Sequence, residues 1–308
     1  MLNDNVYMKY DKINKDVGFI ESSHTYQNLK DDSIKYTSVT TLIGKYEPEF
    51  DKDFVSKYKA VERLLTSSDW KKEKGGLWKS KKITKDFLDV YNISEFELNK
   101  VQQDILDEWD KINKESCERG TKIHSKIENS FYNVGTNITL KKFGIGGKFE
   151  CKKDYTDLDL EYGIYPEYLI YYDNPEIDLH IAGQIDLLVK NGNEINIIDH
   201  KTNKKIETKG FYNSSTRSEE KMKYPLTSLS NCNFNVYQLQ LSTYAWMIQK
   251  INPNFIIKSL ILNHYDHDGN NTLYPCTYLK DDVEKILKHF AKQNKLEKQR
   301  KKYERIEY

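Results

Sequence analysis

The chain has 308 residues, 38% of them apolar and 31% charged, and its 48 Lys and Arg nearly cancel 47 Asp and Glu to leave a net charge of +1. Overall charge therefore neither argues for nor excludes a nucleic-acid partner, and only local clusters bear on that question. Four scattered cysteines (Cys117, Cys151, Cys232 and Cys276) form no CxxC pair, which argues against a structural zinc site or a secreted disulfide framework and suits a reducing cytosol.

The opening stretch MLNDNVYMKYDK has no apolar core, so no signal peptide is expected, and no run reaches the length of a membrane span. Residues 5–43 read as short strands and turns, and Ser38 and Thr40 are N-cap candidates for a following helix. Residues 45–115 read as a charged helical insertion, within which the Gly-broken segment WKKEKGGLWKSKK, Trp70 to Lys82, reads as a basic loop. The spacing Val101–Ile105–Trp109–Ile112 predicts a long helix, with a break or bend near Gly120 before it continues through Ile123, Ile127 and Phe131. From Gly163 the period changes to that of strands: YPEYLIYYD, LHIAGQIDLLVK and NEINIIDHK, the last two joined by a hairpin at Asn191-Gly192. Residues 202–233 are polar and irregular. Val236 to Lys250 is helical, FIIKSLILNHY and LYPCTYL are strands, and 281–308 is a basic amphipathic helix. One α+β domain spanning 1–308 accounts for this pattern.

The end of NEINIIDHK poses a physical question. A strand whose Ile195, Ile197 and Ile198 read as core runs straight into Asp199, His200 and Lys201, and buried charge is costly unless partnered. Asp186 lies on the preceding strand, so the hairpin brings it beside Asp199, and Lys201 shares a strand face with Asp199. Two carboxylates that close repel each other unless a cation lies between them, and oxygen-rich sites of this kind suit Mg²⁺ or Mn²⁺. An ammonium beside them can hold or deprotonate a water, or stabilise charge on a phosphate, which together equips metal-assisted phosphodiester hydrolysis. The ordinary alternative is a surface hairpin with everyday salt bridges.

Neighbouring residues add to this set. Glu167 follows Pro166 as a third carboxylate at the start of its strand pattern. His124 sits at the edge of the apolar stripe of its helix, one turn after Gly120, where either a metal ligand or a satisfied core histidine would fit. Gln240 and Tyr244 share a helix face, and packing alone explains the tyrosine better than the glutamine. Lys71, Lys72, Lys79, Lys81 and Lys82, with Arg300, Lys301 and Lys302, are possible phosphate contacts or solvated charge, and Trp70 and Trp78 are possible stacking platforms for bases.

In this order, GTKIH, PEYLIYYD, GQIDLLV, IIDHKT and QLSTY resemble the PD-(D/E)xK nuclease superfamily, in its RecB-like exonuclease branch, over about Ser38 to Tyr244. The resemblance implies a restriction-endonuclease-like core, a mixed central sheet flanked by helices. It assigns Asp186 and Asp199 as metal-binding carboxylates, the His200 carbonyl as a further ligand, Lys201 as the catalytic lysine and His124 as a metal-binding helical histidine. Glu167 matches the branch's upstream acid, Gln240 and Tyr244 match a substrate-contacting motif, and Ser38 and Thr40 match an element touching the substrate backbone. Expected from it is a Mg²⁺- or Mn²⁺-dependent DNA exonuclease of recombination, repair or phage genome processing, acting on linear DNA in a bacterial or phage-infected cytoplasm. An endonuclease on the same core and a catalytically inactive nucleic-acid-binding relative are the alternatives. The late cysteine cluster of iron–sulfur members is missing, so no such cluster is expected. No GxxxxGK[ST] motif is present, so any unwinding is expected to come from a partner, and a helicase or a single-strand annealing protein is an expected partner.

Overall fold

β-Branched runs bounded by Gly, Asn and Pro become the strands of a mixed sheet in a computed structural model of the chain, which describes residues 10–153, 160–213 and 217–304. The first residues of the leader reading and the last four of the basic tail lie outside the described residues.

In chain order, β1 (Lys12–Asn14), β2 (Val17–Ile20) and β3 (Thr25–Asn28) form a small antiparallel sheet, and β4 (Thr37–Ser38) leads into helix α1 (Val39–Gly44). Ser38 caps α1 by accepting from the Thr41 amide at 3.0 Å, while Thr40 lies inside the helix. Helices α2 (Lys52–Leu64), α3 (Ser67–Ser80), α4 (Lys85–Val90) and α5 (Glu95–Val134) follow, then the hairpin β5 (Ile138–Leu140) and β6 (Ile145–Phe149). Three longer strands, β7 (Gly163–Asn174), β8 (Leu179–Asn191) and β9 (Glu194–Lys201), precede a two-residue pair, β10 (Tyr212–Asn213) and β11 (Ser218–Glu219). Helix α6 (Asn233–Ile251), strands β12 (Ile256–Tyr265) and β13 (Asn271–Cys276), and helix α7 (Lys280–Glu304) complete the order.

The chain divides into two compact units. One holds Met1–Glu47, Lys122–Phe211 and Lys221–Tyr308, and the other holds Pro48–Thr121 with Tyr212–Glu220. The second unit has its own core of Ala60, Val61, Leu77, Leu88, Leu98 and Ile105. Here the Trp70–Lys82 segment, expected as a loop, is helical. Thr66 caps α3 through the Asp69 amide, Leu77 is buried, and Trp70 meets the Tyr58 ring at 4.6 Å. Gly75 and Gly76 each disfavour a helix by about 1 kcal/mol; this packing outweighs them, and the helix ends only at Lys81, which is left-handed. Lys81 then lies over the Trp78 ring at 3.5 Å, so that ring already has a cation partner. The long helix α5 likewise continues through Gly120, where a break or bend was expected.

In the first unit a mixed six-stranded sheet carries the order β13-β12-β9-β8, with β7 along the other edge of β8. β12 and β9 are parallel, as are β4 and β8, and the remaining pairs are antiparallel. The β8–β9 turn centres on Gly192 and Asn193, one residue beyond the expected pair, because Asn191 still pairs with Glu194. Gly192 takes φ +61°, which a glycine adopts without strain. One sheet face packs on α1, α6 and α7 through Ile185, Leu188, Ile195, Ile197 and Leu239. The other packs under β5 and β6 through Ile164, Leu187, Val189 and Ile198.

β8 has two partners along one edge, and this arrangement builds the site. β9 pairs with Leu187 to Asn191, and β4 pairs with Ile181 and Ala182. Between them β9 leaves β8, and its last residues, Asp199, His200 and Lys201, pair only with β12. At the same place the β7–β8 ladder skips Glu167 and Asp186, then resumes in the same register. The sheet faces exchange there. Before the gap Tyr165 faces the helical core; after it, Tyr168 and Ile170 do, and Leu188 and Ile185 show the same change of parity on β8. Glu167 makes the change possible by adopting φ +50°, an uncommon conformation for a residue with a side chain.

Gly183, on β8, lies directly under the Tyr244 ring of α6. A Cβ there would lie 2.7 Å from Tyr244 Cε1 and 3.0 Å from its hydroxyl. Gly183→Ala should therefore displace the Tyr244 ring and destabilise the fold by about 1–3 kcal/mol. Thermal denaturation would read this as a Tm lower by several degrees, whereas an unchanged Tm would mean that the ring moves aside freely.

Candidate metal centre

Where β8 and β9 part, backbone groups lose their ladder partners, and side chains take them up. The His200 amide donates to Asp186 Oδ2 at 2.6 Å. The His200 carbonyl lies 3.0 Å from His124 Nε2, which donates to it from α5. The other ring nitrogen, Nδ1, is 3.6 Å from Glu167 Oε1 and 3.6 Å from Asp186 Oδ2. His124, Glu167 and Asp186 thus offer three ligand atoms within 4.8 Å of one another.

This donor set fits a small divalent cation. Ligands about 2.1 Å from an octahedral ion stand about 3 to 4.2 Å apart, close to the spacing found here. When His124 loses a proton, Nε2–H stays bonded to the backbone carbonyl, so the neutral ring would turn an Nδ1 lone pair to the two carboxylates, the tautomer a metal requires. The His200 carbonyl, expected as a ligand, accepts from His124 Nε2 and so holds that ring in place.

Asp199 stands beside this trio with a different set of partners. It is 1% exposed, its Oδ2 is 2.8 Å from Lys201 Nζ, and its Oδ1 accepts from Gln240 Nε2 at 3.2 Å. Gln240 turns its carbonyl to Lys201 Nζ at 3.3 Å, and its amide also reaches the Tyr244 hydroxyl at 3.3 Å. One glutamine therefore bridges the acid and the base, which accounts for a buried polar residue on the α6 face. Tyr237 completes the cage with its ring 4.6 Å beneath the ammonium. Sequence reading passed over Tyr237, although its spacing of three and seven from Gln240 and Tyr244 places it on the same helix face.

Electrostatics follow from this crowding. Burial alone would lower the His124 pKa, but Asp186, then Glu167 and Asp199, outweigh it and hold the imidazole up to about 9. In the metal-free protein the imidazolium therefore stands in for a cation. Burial raises Asp186, against the pull of His124, and Glu167 adds to the rise. Burial also lifts Asp199 to about 6, opposed by Lys201 and reinforced by Asp186. For Lys201, burial favours the neutral amine, but Asp199 and Asp186 prevail and keep it protonated.

Ser38 and Thr41 line a cleft of about 620 Å³ with His24, Tyr26, Lys35 and Tyr36, and the cleft contains none of the three ligands. The Ser38 hydroxyl is already engaged as a helix cap and with Thr41 Oγ1 at 2.7 Å. On α7, Arg300 pairs with Glu304 at 2.9 Å and Lys301 with Glu297 at 2.6 Å, so that part of the basic tail is locally balanced.

No family model and no curated protein matches the chain. A solved structure that does match, the crystal structure of SSO0001, is 15% identical, with a TM-score of 0.24 over 40% of this chain and 46% of that one. The match spans less than half of that protein, and a likeness of this size carries no argument about this chain.

The raised pKa of His124 predicts the pH dependence of the metal-free fold. Its folded value near 9 exceeds the unfolded value near 6.5, so its stabilising contribution is complete below about pH 6.5 and lost as the pH rises through 9. In chelator, wild type should melt above His124→Gln at pH 6, and the gap should close by pH 9.5. A gap independent of pH would mean that the imidazole carries no bound proton.

Proposed function

We propose that this chain is a metal-dependent nuclease of the PD-(D/E)xK type, hydrolysing phosphodiester bonds of DNA. One observation carries the reading: three ligand atoms from His124, Glu167 and Asp186 converge next to a buried Lys201–Asp199 pair. A structural salt-bridge cluster needs no third carboxylate on a left-handed backbone, and strain of that kind gathers at functional sites.

Mg²⁺ or Mn²⁺ held by His124, Glu167 and Asp186 would supply Lewis acidity toward a phosphate oxygen and lower the pKa of a water. The chain's own groups do the rest. Lys201 keeps its proton, so it acts as a donor, holding the attacking water or steadying charge on the phosphate. Asp199, ionised above about pH 6, can take the water's proton as its oxygen bonds to phosphorus and the P–O bond to the leaving oxygen breaks, the leaving oxygen then taking a proton from solvent. Gln240 and the Tyr237 ring fix the direction of the ammonium, and Tyr244 braces Gln240. The RecB-like motifs favour action from a DNA end, so linear DNA is the proposed substrate.

The test uses linear and covalently closed circular DNA, each single- and double-stranded, with Mg²⁺ or Mn²⁺ and then with chelator. Linear DNA should be shortened progressively, closed circles should survive, and chelator should stop the reaction. Lys201→Met should lower turnover by about 100-fold or more while DNA affinity changes little, since a donor to the reacting atoms acts mainly in the transition state. Rapid cutting of closed circles would replace the exonuclease with an endonuclease. Full cleavage in chelator would remove the metal from the mechanism.

A further inference from the structure

His200 is the middle residue of the Asp–His–Lys run, and its side chain points away from Asp199 and Lys201 into the opposite sheet face. It is 3% exposed. Its Nδ1 lies 2.9 Å from Nδ2 of Asn263, its register partner on β12. The orientation of Asn263 is fixed by its other contacts: Oδ1 accepts from Asn271 Nδ2 at 2.5 Å, and Nδ2 also donates to the Tyr265 hydroxyl at 3.1 Å. Nδ2 is therefore the donor to His200, and His200 Nδ1 must be the acceptor, which puts the ring proton on Nε2. That nitrogen is buried and has no hydrogen-bond partner among the described residues. With one nitrogen capped by a donor and the other protonated, the ring offers no lone pair to a metal. Burial, then the charges of His124, Lys142 and Lys201, keeps it neutral by pushing its pKa down to about 3.

A phenylalanine would fill the same space without leaving a buried N–H unsatisfied, which disfavours the fold by about 1–3 kcal/mol. Asn263, with no exposed surface, adds another buried polar group. The backbone of His200 indicates what this arrangement accomplishes. Its amide holds Asp186 and its carbonyl holds His124, so one residue orients two of the three ligands. Because β9 has left β8 at this point, β12 is its only remaining strand partner.

We propose that Asn263 and the His200 imidazole form a positioning pair for the metal centre: their hydrogen bond fixes the His200 backbone that aims Asp186 and His124. The inference rests on the metal-centre reading and deepens it. Neither side chain is a ligand, and both act through the two groups that are.

Mn²⁺ binding to the full chain, followed by electron paramagnetic resonance and calorimetry, tests the pair without any nuclease assay. The proteins are wild type, Asp186→Ala, His200→Phe, Asn263→Leu and the His200→Phe/Asn263→Leu double variant. Each single change in the pair should weaken Mn²⁺ about 10- to 100-fold, the range for residues that orient ligands. The double variant should be no weaker than the poorer single variant. The Tm of the metal-free proteins should not follow this loss. Unchanged Mn²⁺ affinity with a lowered Tm would make the pair purely structural and overturn the proposal. Wild-type binding insensitive to Asp186→Ala would remove the metal-centre reading itself, whereas binding lost in Asp186→Ala but intact in His200→Phe would defeat the pair alone. If the variants fail to fold, imidazole nitrogen NMR of metal-free wild type decides: the His200 proton must reside on Nε2, and an Nδ1–H form would refute the lock.

Discussion

The constraint on which the site depends is the parting of β8 and β9 after the Leu187–Ile198 pair. Two strands that separate inside a protein leave backbone donors and acceptors facing no partner, and such groups must be satisfied or solvated. Here the Asp186 carboxylate takes the freed amide of His200 and the His124 ring takes its carbonyl. The same two side chains converge with that of Glu167, one atom of each lying within 4.8 Å of the others. The same fork answers why a core strand ends in charge, since Asp199 and Lys201 lie beyond the last pair with β8, where α6 supplies Gln240 and Tyr237 as partners.

Charge balance is the second constraint. Glu167 and Asp186 lie beside the His124 ring, and Asp199 lies beside Lys201. Their desolvation would be prohibitive without those partners, and the raised pKa values of both aspartates register the residual strain. A divalent ion in place of the proton on His124 would add one positive charge to the cluster.

The strands of the first unit were legible because β-branched residues between turn-forming residues leave little choice, and the i, i+2 spacing put Asp199 and Lys201 on one face. Asp186 and His124 were legible as types in an order. Less visible were features set by tertiary packing. Gly75 and Gly76 suggested a loop, yet Leu77 and Trp70 draw that segment into a helix. Glu167 read as the start of a strand, whereas it sits mid-strand in a left-handed conformation that no local pattern announces. Asn263 reads as a polar interruption of an apolar strand, and only its register opposite His200 gives it a role. The turn at Gly192 moved by one residue because the ladder, not the dipeptide, sets where a hairpin closes.

The exchange of faces at Glu167 and Asp186 makes β7 and β8 a coupled unit under mutation. Each strand changes parity at the same rung, so the apolar residues on both sides of that rung remain inward only while both chains keep their count. Removing one residue from either strand would turn half of its buried side chains toward the wrong layer and leave the other strand's kink without its counterpart. Substitution can explore this region one position at a time, but length cannot vary there. Inserted residues should be better tolerated in the connections away from this rung.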